Sequence, residues 1–146
     1  MEIKFIKTHE DAKLPQKNNP DPLTGDAGFD LFAVETINIQ PGGSGIVPVG
    51  LKLGFVTPGY WFRIEGRSGL GFGKGLQPHF GIIDNGYRGD LGIKIYNLSD
   101  KWQKIEAGKG VAQLIPYKMY PCEVAFTDEA TESTRGEKGF GSSDKK

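Results

Sequence analysis

Four segments of this chain concentrate residue types that can do chemistry. Gly66, Arg67, Ser68, Gly69 and Leu70 set a guanidinium fork, a hydroxyl and glycine-exposed backbone N–H groups in succession. Such a fork binds oxyanions in pairs and unhindered amides line anion cavities, so the segment suits phosphate oxygens; the alternative is a polar turn after a strand. GIIDNGYRGDLGI over 81–93 places two apolar runs about Asn85 and Gly86, whose tolerance of positive φ predicts a hairpin. Asp84 and Tyr87 flank that turn. A carboxylate beside a tyrosine ring can act as a general base next to a stacked ligand, or the Asp simply forms the turn. Gly81 and Gly92 leave space for a flat ligand against the backbone. DAGFDLFA over 26–33 puts Asp26 and Asp30 in an otherwise apolar stretch. Asp30 either satisfies nearby backbone or serves a metal or water network. RGEKGFGSS over 135–143 gathers Arg135, Phe140, Gly141, Ser142 and Ser143 in a polar tail. It reads as a solvated terminus or as a lid that stacks Phe140 on a base and aims the arginine and serines at phosphates.

Other signatures fail. GLGFGKG over 69–75 resembles a phosphate loop, but a Walker A sequence needs glycine at Ser68 and Ser or Thr at Gly75. No G-x-G-x-x-G fingerprint occurs, which disfavours kinases, P-loop ATPases and dehydrogenases. Cys122 is the only cysteine, and with His9 and His79 alone beside it the expected metal ligand set is too small for structural zinc. The zinc-deaminase spacing after Pro121 and Cys122 is absent too. Lys plus Arg and Asp plus Glu each number 18, so no net field draws the chain to nucleic acid or membrane.

The elements that must position these segments are strands. Among 146 residues, 22 glycines and 9 prolines break the chain too often for a helical bundle. Apolar, β-branched runs between those breakers predict strands over 3–7, 36–40, 46–56, 60–65, 91–97, 111–117 and 123–127. Residues 9–28 and 66–81 read as irregular, and 100–104 as a possible helical turn. Many short strands without intervening helices predict one all-β domain, a barrel or sandwich of the jelly-roll kind. Mean hydropathy is −0.39. No run is long enough to span a membrane, and the charged start MEIKFIKTHE lacks a signal-like apolar stretch, so a cytoplasmic location is expected. After residue 128 the composition turns polar and glycine-rich, as in a mobile tail.

Taken in order, DAGFDL, GRSGL, GIIDNGYRGDLG, GVAQLI and RGEKGFGSS resemble the five motifs of the trimeric dUTP pyrophosphatases, the dUTPases, from residue 27 to 143. The resemblance implies a jelly-roll-like distorted β-barrel over 1–127 and a mobile arm over 128–146. It further implies a homotrimer that hydrolyses dUTP to dUMP and pyrophosphate with Mg²⁺, each active site drawing on three chains. By the same resemblance Asp84 activates the attacking water, and Tyr87 packs under the deoxyribose and excludes a 2′-hydroxyl. Backbone around Gly81, Ile82, Ile83 and Gly92 holds the uracil edge too tightly for a 5-methyl group. Arg67, Ser68 and Gly69 hold phosphate oxygens, and Gln113 and Asp30 support the phosphate and metal-water network. Arg135, Phe140, Gly141, Ser142 and Ser143 close from another subunit. Mg²⁺ is expected on substrate phosphates and waters, with no direct protein ligands.

Three features depart from the family pattern. Gly110 stands where a basic or polar residue is usual, with Lys109 displaced by one. Gly71, Gly73 and Gly75 extend the second motif, and the stretch over 14–26 is longer than expected. Related dCTP deaminases of the same fold carry glutamate where Asp84 stands, so Asp84 with Tyr87 favours pyrophosphate release. A nucleotide-switched trimer that binds a regulatory protein is the non-enzymatic alternative.

Overall fold

The computed structural model describes residues 1–79 and 81–141. Alternation of inward and outward residues builds its central strand pair. In β4 (Ser44–Val56) Val47, Val49, Leu51 and Leu53 point inward, and in β8 (Asp90–Asn97) Leu91, Ile93, Ile95 and Asn97 do so. These pair antiparallel, Val47 opposite Ile93, and are flanked by β1 (Ile3–Lys7) and β6 (Leu76–Pro78) in the order β1-β4-β8-β6. A second four-stranded sheet runs β2-β10-β5-β7, from β2 (Phe29–Phe32), β5 (Tyr60–Glu65), β7 (Gly81–Ile83) and β10 (Gly110–Lys118). A two-stranded ribbon joins β3 (Ile37–Ile39) to β9 (Gln103–Ile105). The inner faces of all three share one buried cluster that includes Leu31, Val47, Phe62, Ile95, Ile105 and Leu114. Complete burial of a side chain such as Phe62 or Leu31 contributes roughly 1.5–3 kcal/mol. The fold is all-β and jelly-roll-like, with sheets that face each other rather than closing into one barrel.

Several expected elements change character. The glycine-rich segment after β5 is not irregular: it forms the short helix α1 (Ser68–Lys74), then β6 and β7. Glycines cost a helix about 1 kcal/mol each relative to alanine. Leu70, partly buried, packs on the core, and Gly75 ends the helix with φ 67° while its N–H reaches Gly71 O. Residues 100–104 do not form a helical turn, because Ile105 is buried and pairs with Ile37, drawing 103–105 into a strand. The alternation over 123–127 is present, but no strand forms there: Val124 and Phe126 are fully exposed, and the segment pairs with no strand of the chain. The long stretch before the first motif is an ordered surface loop. Leu23 and Thr24 N–H groups both donate to Asp21 Oδ1 at 2.8 Å, holding that carboxyl below its ordinary range, and Asn19 N–H donates to Asp26 Oδ2. Residues 119–141 contain neither helix nor strand and lie exposed. Among the described residues, no helix is long and apolar enough to cross a membrane.

Among the described residues, Asn97 is the one buried polar side chain in the core. Its Nδ2 donates to the carbonyls of Ile39, Gln40 and Lys101, and its Oδ1 accepts from Ser99 N–H and Oγ–H. It thereby ties the end of β8 to β3 and to the bend before β9. Asn97→Ala removes all five of these bonds, although Gln40 O keeps Gly43 N–H and Lys101 O keeps Ser99 Oγ–H, and it is expected to lower stability by about 3 kcal/mol, read as a fall in urea midpoint with an unchanged slope at fixed protein concentration.

Candidate active site

A polar cradle forms at one end of the β2-β10-β5 strands. Gln113 on β10 lies opposite Asp30 on β2 and Glu65 on β5, so three polar side chains stand in a row. β5 then ends at Glu65, and Gly66 brings Arg67 and Ser68 round to the same end. Arg67 Nε sits 3.1 Å from Asp30 Oδ1, and its Nη1 donates to Gly110 O at 2.9 Å. Gln113 Nε2 donates to Gly66 O at 2.7 Å. Asp30 therefore satisfies Arg67 rather than nearby backbone. Gly66, Arg67, Ser68, Gly71 and Gln113 line an open recess of about 590 Å³. Gly69 lies in the first turn of α1 with nothing within 4 Å of where its Cβ would be, so its backbone is accessible.

A slot lies between β7 and β8. The two strands belong to different sheets: β7 pairs with β5 alone, and β6 stops pairing β8 once His79 N–H reaches Lys94 O at 2.8 Å. Gly92 has the strand parity of Lys94, so its peptide groups face this unpaired edge. The opening, about 130 Å³, is lined by Ile64, Gly81, Ile83, Tyr87, Leu91 and Gly92. Apolar walls with free peptide donors and acceptors suit a planar polar ring. The expected hairpin is corrected here. Neither Asn85 nor Gly86 has positive φ; Tyr87 N–H donates to Asp84 O at 3.0 Å, closing an ordinary four-residue turn between strands that splay apart. The splay makes the slot. Gly92 is also reassigned: a Cβ there would lie 3.0 Å from Ile46 Cγ2, so its missing side chain makes room for Ile46 while its peptide serves the slot. The Ile82 side chain is two-thirds exposed and lies outside the lining.

The turn is held rigidly. Asn85 Nδ2 donates to Thr57 O and Tyr60 O at 2.9 and 2.8 Å, Arg88 Nη1 donates to Asn85 O and Tyr87 O, and Tyr87 O–H donates to Asp90 O at 2.6 Å. Asp84 is left exposed on this braced turn, next to Ile83 at the slot. Sequence reasoning did not find Asn85 and Arg88 as braces, nor two glycines that seat site side chains. A Cβ on Gly28 would overlap Gln113 Oε1, and one on Gly89 would lie 2.5 Å from the Tyr87 hydroxyl oxygen. The motif strings contain these glycines, but nothing local in them reports which side chain needs the space.

One group is not brought to the site within a single chain. Arg135 bonds its own segment, Nε to Lys138 O and Nη2 to Gly139 O, and Phe140 is fully exposed. Gly141 is the last described residue, with φ 80°. Ser142 and Ser143 lie outside the described residues. Among the described residues, no three His, Cys, Asp or Glu side chains cluster as metal ligands would.

A jelly-roll-like body with an unpaired strand-edge slot, an acid at its mouth and an arginine-centred oxyanion cradle defines a protein built to handle a nucleotide. The chain belongs to the dUTPase family, whose model matches residues 12–144. It is 40% identical over 150 residues to the deoxyuridine 5′-triphosphate nucleotidohydrolase of Actinobacillus succinogenes, covering 100% of this chain and 98% of that protein. It is 36% identical over 144 residues to the Helicobacter pylori (strain P12) protein of the same name, covering 97% and 96%. Its fold matches a mutant dUTPase of Staphylococcus bacteriophage 80alpha with dUpNHpp at a TM-score of 0.86 and 27% identity, covering 97% and 98%.

Proposed function

We propose that this chain hydrolyses dUTP to dUMP and pyrophosphate, limiting uracil in DNA and supplying dUMP for thymidylate synthesis in the cytoplasm. The observation that carries this reading is the slot between β7 and β8 with Asp84 on the braced turn at its mouth. Uracil presents a flat ring with alternating acceptors and a donor, which the peptide edges of Gly81, Ile83 and Gly92 complement. The slot is small, so a 5-methyl group is excluded by bulk. Tyr87, fixed by its bond to Asp90 O, packs against the sugar and leaves no space for a 2′-hydroxyl.

Phosphoanhydride hydrolysis needs an in-line water, a base and charge stabilisation, with little covalent chemistry. Asp84 takes the proton of the water attacking the α-phosphorus. Arg67, Ser68, Gly69 and Gln113 hold the phosphate oxygens as negative charge shifts toward the leaving pyrophosphate. Asp30 keeps the Arg67 fork in register. At the cradle Asp30 is paired with Arg67 and Gln113 is a neutral amide, so these two would support the waters of an ion that the triphosphate carries. Mg²⁺ bound in that way would neutralise phosphate charge.

The working assembly in this reading is a homotrimer. Residues 1–127 form the body, and the arm over 128–146 closes on a neighbour's site with Arg135, Phe140, Gly141, Ser142 and Ser143. Pyrophosphate release from dUTP, dTTP, UTP and dCTP, each with Mg²⁺ or EDTA, tests the substrate assignment. Turnover of dUTP alone, abolished by EDTA, is the expected result. Ammonia release from dCTP would instead identify a deaminase.

A further inference from the structure

Arg67 is held in place at a cost to one neighbouring position. Its guanidinium lies flat against the start of β10: Nη1 is 2.9 Å from Gly110 O and Nε is 3.1 Å from Asp30 Oδ1. The fork is planar and rigid, so the two contacts together fix its plane. They use two of its five N–H groups and leave three for an anion. The guanidinium fills the space a side chain at 110 would need. A Cβ built on Gly110 would lie 2.5 Å from Nη1 and 3.0 Å from Cζ, with Nε at 3.5 Å. Gly110 is not among the glycines with positive φ, so its backbone accepts alanine, and the three atoms nearest to its Cβ position all belong to Arg67.

We propose that Gly110 is a positioning residue for substrate binding: its missing side chain lets Arg67 lie across β10 and hold its fork beside Asp30, preorganised for a phosphate group. This rests on the dUTP reading above. An unpinned arginine must lose its rotamer freedom when substrate binds, whereas a pinned one has already lost it. Gly110→Ala therefore raises KM for dUTP and weakens binding of dUpNHpp.

A double-mutant cycle with Arg67→Ala tests this in the intact protein, with dUpNHpp binding and melting temperature read for all four forms. Gly110→Ala is expected to weaken binding by about tenfold, the scale of one charge-assisted hydrogen bond, and to have no further effect once Arg67 is alanine. Gly108→Ala is the control: Gly108 has φ 85° and open space around its Cβ position, so its loss lowers the melting temperature without changing binding. An equal loss on Gly110→Ala in both Arg67 backgrounds, or no loss in either, overturns the proposal. If Gly110→Ala does not fold, Arg67→Ala must restore folding; failure to do so also overturns it. Hydrogen exchange at Arg67 Nε–H provides a ligand-free readout, slow in wild type and fast in Gly110→Ala. If wild type binds no dUpNHpp, the dUTP reading fails while this exchange still decides the role of Gly110; unchanged exchange rejects it.

Discussion

Asp84→Asn lowers dUTP turnover by about 10²- to 10⁴-fold, the range a positioned general base contributes, with substrate binding and melting temperature close to wild type. The expectation follows from where the carboxylate sits. Its backbone carbonyl closes the turn with Tyr87 N–H, but among the described residues its side chain makes no hydrogen bond or ion pair. Asn has the same shape, forms turns as readily and lacks only the ability to accept the proton. The loss therefore falls on kcat, because the proton moves only in the transition state. The competing account, an Asp present to form the turn, makes the opposite prediction: Asn serves equally well and kcat is unchanged. Single-turnover kinetics alongside dUpNHpp binding separates the two.

Where burial and alternation coincide locally, sequence and structure agree. Residues 3–7 and 60–65 are strands with the expected bounds, and the strands over 46–56, 91–97 and 111–117 extend by only one or two residues. The misses occur where the deciding interaction is distant in sequence. β9 is a strand because Ile105 meets Ile37, and α1 forms despite its glycines, with Leu70 packed on the core. The segment over 123–127 alternates correctly but has no strand beside it. The site follows the same rule. Its chemical residue types are legible in the motifs, but the slot arises from two strands joining different sheets, which no local pattern encodes. Gly28, Gly89 and Gly110 act by the room they leave, and for Gly28 and Gly110 the side chain needing it is far away in the sequence. Gly110 looked like a departure from the family pattern; in the fold it lies under the Arg67 guanidinium.

Mixing two inactive variants should restore activity. One is Asp84→Asn, with an intact arm; the other keeps Asp84 but ends after Thr134, losing Arg135, Phe140 and the serines. Among the described residues Arg135 bonds only Lys138 O and Gly139 O, and Phe140 is fully exposed, so neither side chain is tied to the body that carries it. If the arm closes on a neighbour's slot, a mixed trimer contains sites with Asp84 from a truncated chain and an arm from an Asp84→Asn chain. Random assembly of equal amounts pairs them in about one quarter of sites, so recovered turnover approaches a quarter of wild type once the trimers have exchanged subunits. The recovery must depend on that exchange: mixing without dissociation and reassembly leaves both variants inactive. A site completed by its own arm gives no recovery at any ratio, because each chain then carries its defect into its own site.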